Sequence, residues 1–241
     1  MTRERESVAP LAVLMPAYNE AAGIEDAVNE VRQEVLDKLP GAYLIVVNDG
    51  SKDNTGEILE RIAKVDPRVR VINKPNSGHG PSIIRALNEA DSEYVFTIDS
   101  DMQMPLDCFS QFWQAATAPG CAGVFGVRSH RQDPLVRLVL SRVVAFTMSS
   151  VFKVKLRDSN VPFKLFKRKI WTELYARLKD DTLLTPSIAI AIYARKHGYN
   201  IVDMPVSHRA RKTGEPSLRI TKLIAFCAQA FRQMMKIKEQ I

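Results

Sequence analysis

The chain has 241 residues, 46% of them hydrophobic and 25% charged, and its formal net charge is +7 at pH 7. This is the composition of an ordinary globular protein with room for a substantial core, and the positive charge favours an anionic partner such as a nucleotide or a phospholipid surface. The three cysteines are scattered without a CxxC pair, which argues against a zinc site or a disulfide framework. The basic residues are spread out without stacking aromatic residues among them, so nucleic acid is not an expected partner.

The sequence predicts a cytoplasmic protein. Residues 1–7 are polar and lack the apolar core of a signal peptide. The best uncharged apolar run, Val143 to Phe152, has about half the length that a membrane-spanning helix needs. We therefore expect the chain to act in the cytoplasm, either free or at the inner face of the membrane.

Strands and helices alternate from residue 11 to about residue 128. Short apolar runs predict the strands, and apolar residues at helical spacing predict amphipathic helices between them. The alternation predicts an α/β fold with a mostly parallel sheet flanked by helices, in which ligands bind at the carboxyl ends of the strands. The predicted strands are Leu11 to Met15, Tyr43 to Val47, Val69 to Ile72, Val95 to Ile98 and Ala122 to Val127.

Polar residues follow four of these strands, which indicates a binding site at that edge of the sheet. Asn19, after the first strand, is also a candidate cap for the first helix. The residues at the four strand ends are Tyr18 and Glu20, Asp49, Asp99 and Asp101, and Arg128.

Asp99 and Asp101 are the strongest candidates for metal ligands. Residues two apart on a strand point the same way, so the two carboxylates can converge on one hard cation. Carboxylate oxygens are the ligands that Mg²⁺ and Mn²⁺ prefer. The spacing alone fits a solvated acidic turn equally well.

One further turn and the histidines are also candidates for ligand-binding groups. Asn76 to Gly80 is a glycine-containing turn before a helix, and it fits either an anion site or a structural turn. The four histidines lack metal-ligand spacing, and only His208 lies in a stretch with an expected function, as a phosphate or donor contact.

The second half of the chain has a different pattern. A long, mostly apolar helix is predicted from Pro134 to Leu156, and a short apolar stretch at Phe163 to Phe166 precedes two more helices. A late strand from Asn200 to Val206 leads into a basic loop. The tail from Leu218 to Ile241 is predicted as a basic amphipathic helix.

These landmarks together resemble the family 2 glycosyltransferases with the GT-A fold, and most closely the polyprenyl-phosphate mannosyl- and glucosyltransferases. The resemblance covers Leu11 to Ser217 and departs from the family pattern at Asn48, where an Asp is usual. It places the glycosyltransferase domain at 1–217, with a nucleotide-binding half at about 8–128 and an acceptor-binding half at about 129–217, followed by the helix 218–241. The matching motifs are Pro16 to Glu20, Val47 to Thr55, Asn76 to Gly80, Asp99 to Gln103, Gly126 to Ser129, and the spaced His208, Arg211, Gly214 and Ser217.

The resemblance implies an inverting, metal-dependent transfer of a hexose from a UDP- or GDP-linked donor to polyprenyl phosphate. Asp101 and Gln103 would hold Mg²⁺ or Mn²⁺, with Asp99 in the metal shell or near the ribose. Arg128 and Arg211 would contact the diphosphate or the acceptor phosphate, although Arg128 also fits a surface ion pair. The donor-binding residues would be Pro16, Tyr18, Glu20, Asp49, Gly80, Asp99, Ser100, Arg128, His208, Arg211 and Ser217.

The sequence departs from the family pattern in the region that bears on the acceptor. Hydroxyl-using members often place a Glu-Asp pair about a dozen residues before the glycine that here is Gly198, and this sequence has no carboxylate there. Asp180 and Asp181 lie upstream, and Asp181 is the candidate catalytic base if they are displaced equivalents. A phosphate acceptor would need no base, because it is already ionised at neutral pH. The alternatives are a hydroxyl acceptor with the same fold, or a non-catalytic protein that binds nucleotide sugars.

The tail helix fits two kinds of contact. Its basic residues and apolar face would suit an anionic membrane, and the same face would also suit packing on the domain or on a second copy of the chain. Peripheral membrane contact and a homo-oligomer therefore both remain expectations.

Overall fold

The computed structural model describes residues 8–129, 135–158, 161–209 and 220–241. Arg211 and Ser217, predicted to contact the donor, lie outside these ranges. For 135–140 and 220–224 the backbone alone is described.

Seven strands form one mixed sheet in the order β3-β2-β1-β4-β6-β5-β7. Among the described strands β6 alone runs antiparallel to its neighbours, so the other six carboxyl ends meet at one edge. The predicted α/β fold with a mostly parallel sheet is confirmed. The strands are β1 (Ala9–Ala17), β2 (Tyr43–Asp49), β3 (Val69–Lys74), β4 (Ser92–Thr97), β5 (Gly123–Ser129), β6 (Lys164–Lys167) and β7 (Ile201–Ser207).

Helices cover both faces of the sheet because the central strands are apolar on both sides. On β1, Leu11 and Val13 pack with α1, α2 and α4, whereas Ala12 and Leu14 face the cluster that contains α3, α6 and α7. A π-helical segment, Arg32–Leu36, extends α1. The helices are α1 (Ile24–Val31), α2 (Thr55–Val65), α3 (His79–Glu89), α4 (Phe109–Ala116), α5 (Leu135–Phe152), α6 (Arg168–Leu178), α7 (Pro186–Lys196) and α8 (Ile220–Lys236).

Two local predictions at the end of β1 are wrong. The strand continues through Pro16 to Ala17, because a parallel neighbour on each side extends the pairing as far as Leu14 with β4 and Ala17 with β2. Asn19 does not cap α1, whose N-cap is Gly23. Instead Asn19 adopts a positive φ of 54°, a conformation that Asn tolerates better than most residues.

The carboxyl-terminal helix packs on the domain through its last turns. Met234, Ile237 and Ile241 are buried in the core cluster beside α7, and the Lys196 ammonium donates a hydrogen bond to the carbonyl of Ile241 at 2.6 Å. Phe231 and Met235 remain exposed. Packing on the domain, one of the two predicted contacts of this helix, is therefore observed. Among the described residues, no helix is both long and apolar enough to cross a membrane.

Candidate active site

The loops after β1 and β2 are joined by hydrogen bonds between backbone amides and side chains. The amide of Asn19 donates to the Ser51 hydroxyl at 3.0 Å, and the amide of Lys52 donates to the Asn19 side-chain oxygen at 2.8 Å. The amide of Glu20 donates to the Thr55 hydroxyl at 2.9 Å. These bonds fix Tyr18 and Glu20 beside the end of β2, and the Tyr18 ring is exposed where the predicted nucleoside pocket would lie.

Asp49 is a buried carboxylate that organises the glycine turn. It accepts hydrogen bonds from the amides of Ser77 at 2.9 Å and Gly78 at 2.8 Å, and it forms an ion pair with Lys74. Lys74 also donates to the Ser77 hydroxyl at 2.6 Å. The turn at Asn76 to Gly80 is thus built on Asp49, a relationship that the sequence alone did not show.

Asn48, where the family pattern has an Asp, belongs to a chain of amide hydrogen bonds. Its oxygen accepts from the amide of Ser51 at 3.2 Å, and its nitrogen donates to the Asn73 oxygen at 2.9 Å. The Asn73 nitrogen donates in turn to Glu60 at 3.0 Å. A carboxylate at position 48 could not donate to Asn73, so this hydrogen bond depends on the amide of Asn48.

His79 is a site residue that sequence reasoning missed. It begins α3, and its Nε2 lies 2.9 Å from Oδ1 of Asp99 beyond the end of β4. Desolvation of the imidazole opposes its charge, but the hydrogen bond with Asp99 and the negative charges of Asp99, Asp101 and Asp49 outweigh it, so the pKa of His79 is raised. Among the histidines the sequence singled out only His208, and this contact of His79 was not predicted. The glycine-containing turn at Asn76 to Gly80 was the feature of the sequence that could have pointed to His79.

Gly80 is required by close packing. A Cβ at this position would lie 2.4 Å from the carbonyl oxygen of Leu183 and 2.6 Å from that of Leu184. The first turn of α3 therefore touches the loop before α7, the region in which hydroxyl-using family members often carry a Glu-Asp pair.

The loop after β4 is tied to the end of β7. The amide of Gln103 donates to Asp101 Oδ1 at 3.1 Å, and the Gln103 carbonyl accepts from the amide of Arg209 at 2.8 Å. The Gln103 side chain donates through Nε2 to the carbonyl of Arg209 at 3.3 Å, which leaves its amide oxygen as the atom that a hard cation would take. Ser100, in the loop after β4, and His208, just after β7, are both buried.

The oxygen donors present here fit a Mg²⁺ or Mn²⁺ site of the open kind. No group of three or more His, Cys, Asp or Glu side chains in the described ranges has the spacing of a complete metal site. Mg²⁺ commonly uses one or two carboxylates and completes its shell with water and substrate phosphates. Asp99 and Asp101 would supply the two carboxylates, and Gln103 would supply an amide oxygen.

Arg128 lies within β5, one residue before its end, and forms a bidentate ion pair with Asp158. Its Nε and Nη2 each lie 2.9 Å from a carboxylate oxygen, and the two side chains are only 16% and 9% exposed. The ion pair that was the alternative interpretation of Arg128 is present, but it is largely buried. Among the described residues, Nη1 of Arg128 has no acceptor, so it is the nitrogen left for a ligand oxygen.

The two candidate base residues are both held by neighbouring side chains. Asp181 accepts a hydrogen bond from the Tyr175 hydroxyl at 2.7 Å. Asp180 accepts from the amide and the hydroxyl of Thr182 at 2.8 and 2.7 Å. Both carboxylates therefore stabilise the loop around them through hydrogen bonds.

The family model for "Glycosyl transferase family 2" matches residues 12–202. The chain belongs to glycosyl transferase family 2. The predicted family is thereby confirmed, and so is the expectation that this glycosyltransferase is an enzyme.

Curated relatives of this glycosyltransferase are bacterial sugar transferases. It is 25% identical over 222 residues to an undecaprenyl-phosphate 4-deoxy-4-formamido-L-arabinose transferase of Proteus mirabilis, covering 91% of the present chain and 66% of the relative. It is 26% identical over 216 residues to the protein of the same name from Pseudomonas aeruginosa, covering 89% of the chain and 62% of the relative. The chain therefore spans slightly less than two thirds of these relatives.

Solved structures confirm the fold. Glucosyl-3-phosphoglycerate synthase of Mycobacterium tuberculosis, in complex with Mn²⁺, UDP and phosphoglyceric acid, superposes with a TM-score of 0.70 at 19% identity, covering 95% of the present glycosyltransferase and 78% of the synthase. The complex of that synthase with Mg²⁺ and UDP gives a TM-score of 0.66 at 21% identity, with coverages of 95% and 79%.

Proposed function

We propose that this glycosyltransferase moves a hexose from a UDP- or GDP-linked donor to polyprenyl phosphate, with inversion at the anomeric carbon and dependence on Mg²⁺ or Mn²⁺. The observation that carries the proposal is the grouping of Asp99, Asp101 and Gln103 in the loop that follows β4. Asp99 contacts His79, the Gln103 amide donates to Asp101, and Gln103 also pairs with the backbone of Arg209. The relatives that act on undecaprenyl phosphate supply the acceptor class.

The donor would lie across the ends of β1, β2 and β4. Tyr18, Glu20 and Asp49 would form the nucleoside end of the site, with Pro16 beneath it in β1. The diphosphate would extend towards Asp99 and Asp101, where a bound divalent cation would neutralise charge on the leaving group. Gly80, Ser100 and His208, together with Arg211 and Ser217 beyond the described residues, complete the proposed donor contacts.

Arg128 is proposed to bind a phosphate oxygen with Nη1 while Asp158 holds the rest of its guanidinium. The ion pair fixes the side chain before the ligand arrives, so little conformational entropy is lost when the phosphate binds. A phosphate at this position would be either the β-phosphate of the donor or the acceptor phosphate.

The transfer itself needs no protein base when the acceptor is a phosphate. An ionised oxygen of polyprenyl phosphate attacks the anomeric carbon from the face opposite the leaving group. The new carbon–oxygen bond forms as the bond to the nucleoside diphosphate breaks, and the diphosphate leaves with the electron pair. Because the attacking oxygen carries no proton, Asp180 and Asp181 are free to serve the loop structure in which they are found.

A labelled-sugar assay tests the proposal. The protein is incubated with a panel of labelled UDP- and GDP-sugars and polyprenyl phosphate, with excess Mg²⁺ or Mn²⁺ or with EDTA. We expect lipid-extractable label with one donor and only in the presence of metal. Label that stays in the aqueous phase for the whole panel would reject the polyprenyl acceptor. Lipid-extractable label that still forms in the presence of EDTA would reject the dependence on a divalent metal.

A further inference from the structure

A basic cavity lies at the β7 edge of the sheet, away from the strand ends that form the candidate active site. Its volume is about 400 Å³, within the range of small-molecule sites. Asp203 lies on the wall of the cavity and pairs in register with Phe125 of β5. It precedes the carboxyl end of β7 by four residues, which is roughly 13 Å along a strand. The lining residues are Lys153, Val154, Lys155, Arg157, Arg195, Ile201 and Asp203.

The charge of this cavity selects an anion. Four cationic side chains face one carboxylate, which gives the lining a formal excess of three positive charges. Asp203 is already shared, since Arg195 Nη2 lies 2.5 Å from its Oδ1 and Arg157 Nε lies 3.9 Å from its Oδ2. Lys153 and Lys155 are exposed, and neither forms an ion pair with a carboxylate among the described residues.

The wall of the cavity carries an unsatisfied donor and an unusual backbone conformation. Nη1 of Arg195 is a buried donor without an acceptor among the described residues. A buried donor left unsatisfied is energetically unfavourable, and a bound anion would satisfy it. Lys153 has a positive φ of 56°, a conformation that usually favours glycine or asparagine, where the chain turns from α5 into the cavity wall.

We propose that this cavity binds a phosphate group, with the guanidinium of Arg195 at its base and Lys153, Lys155 and Arg157 at its rim. Guanidinium and ammonium donors match phosphate oxygens in number and charge, and arginine does so with a planar fork. None of the lining residues belongs to the proposed donor and acceptor contacts, so the cavity adds a second phosphate-binding function to the chain.

The phosphate can come from a lipid headgroup or from solution. Val143 and Phe146 are exposed on α5, with Phe146 74% exposed. They precede Lys153 by ten and seven residues, or about 15 and 10 Å along a helix. An exposed apolar pair on the helix that leads into a basic site is an arrangement that a phospholipid surface would contact.

A pair of double variants tests the site. Lys155→Gln/Arg157→Gln removes two exposed cations from the rim, and Arg61→Gln/Lys64→Gln on α2 removes one arginine and one lysine from the opposite half of the sheet as the matched control. Arg157 and Arg61 each have one carboxylate partner and are similarly exposed, so the two pairs carry comparable structural risk. Circular dichroism of both variants checks that they fold.

Binding is measured at constant ionic strength, by titration with inorganic phosphate and by co-sedimentation with vesicles of phosphatidylglycerol or of phosphatidylcholine. We expect at least a tenfold loss of phosphate affinity, or loss of the preference for phosphatidylglycerol, in the rim variant and not in the control. The vesicle result would assign the phosphate to a lipid, and the phosphate result alone would assign it to a soluble ligand. Equal behaviour of the two variants in both assays would overturn the proposal without bearing on the transferase function.

Discussion

His79 Nε2 lies 2.9 Å from Oδ1 of Asp99, and this contact joins the first turn of α3 to the loop that follows β4. The two residues are twenty positions apart in sequence and on different motifs. The contact orients one of the two carboxylates proposed to hold the divalent cation, so His79 is a positioning residue in the proposed mechanism.

Replacing His79 should therefore weaken metal use more than it weakens the fold. We expect His79→Ala to raise the Mn²⁺ concentration for half-maximal transfer about tenfold, because Asp99 loses the partner that orients it. His79→Gln keeps a side-chain donor and should recover much of the loss. A metal titration of the transfer rate measures both. Equal values for wild type and His79→Ala would show that the contact does not position the metal ligand.

Asp181→Asn should leave transfer to polyprenyl phosphate within about twofold of wild type. Its carboxylate accepts a hydrogen bond from the Tyr175 hydroxyl, which an amide oxygen can also accept. Steady-state rates with the labelled donor measure the effect. A hundredfold loss of turnover with unchanged donor binding would instead identify Asp181 as a general base and favour a hydroxyl acceptor.

Gly80→Ala should destabilise the fold by at least about 2 kcal/mol, since overpacked sites typically cost about 1–3 kcal/mol. The new Cβ would lie 2.4 Å from a backbone carbonyl of the 183–184 loop. In an uncrowded helix the same change would stabilise, because alanine has the higher helix propensity. Chemical denaturation measures the difference.

Gly198→Ala is the control for Gly80→Ala. Gly198 has a φ of +72° and open space around it, so alanine there tests backbone strain without a clash. We expect a cost of about 1 kcal/mol for this variant. A larger cost at Gly198 than at Gly80 would contradict the packing explanation for Gly80.

Lys164 makes the stability of the fold depend on pH. The side chain is buried in β6, where its ammonium donates to the carbonyl of Val161. Burial, with a further contribution from the charges of Arg195 and Arg128, lowers its pKa from 10.5 to about 7 against the opposing effect of Asp158. Between pH 7 and pH 10.5 the unfolded chain therefore binds more protons at this residue than the folded chain.

Stability linked to Lys164 should consequently rise with pH through that window, by up to about 1.4 kcal/mol per pH unit. Below pH 7 both states are protonated and the cost of the buried charge is present in full. The unfolding free energy of wild type minus that of Lys164→Met should increase between pH 7.5 and 9.5, measured by urea denaturation. Lys167→Met, on the same strand but partly exposed, is the matched control. A pH-independent difference for Lys164→Met would contradict a lowered pKa.

Much of the fold was predictable because its parallel strands carry local signals. Val69 and Ile83, for example, belong to apolar patterns whose periods identify a strand and a helix without reference to the rest of the chain. The apolar stretch at Phe163 to Phe166 was visible in the same way. Its insertion as β6 between β4 and β5, antiparallel to both, was not, because pairings such as Val95 with Phe166 depend on chain segments seventy residues apart.

The sequence predicted the candidate ligands of the site but not the side chains that hold the site residues in place. Asp99 and Asp101 stand in a recognisable motif. The partners that hold the site together, such as His79 for Asp99 and Asp158 for Arg128, come from positions that are distant in the sequence. The sequence alone could therefore not identify Arg128 as one half of a buried ion pair.

The most direct test of the proposed function compares Asp101→Asn with wild type in the polyprenyl-phosphate assay. Asp91→Asn, an exposed aspartate in another loop, is the matched control. We predict that Asp101→Asn lowers the rate of lipid-linked label by at least about a hundredfold while both variants keep the wild-type unfolding free energy, because the amide cannot supply the negative charge that holds the cation. Transfer by Asp101→Asn at the wild-type rate and with the wild-type metal dependence would contradict a catalytic metal centre at the end of β4.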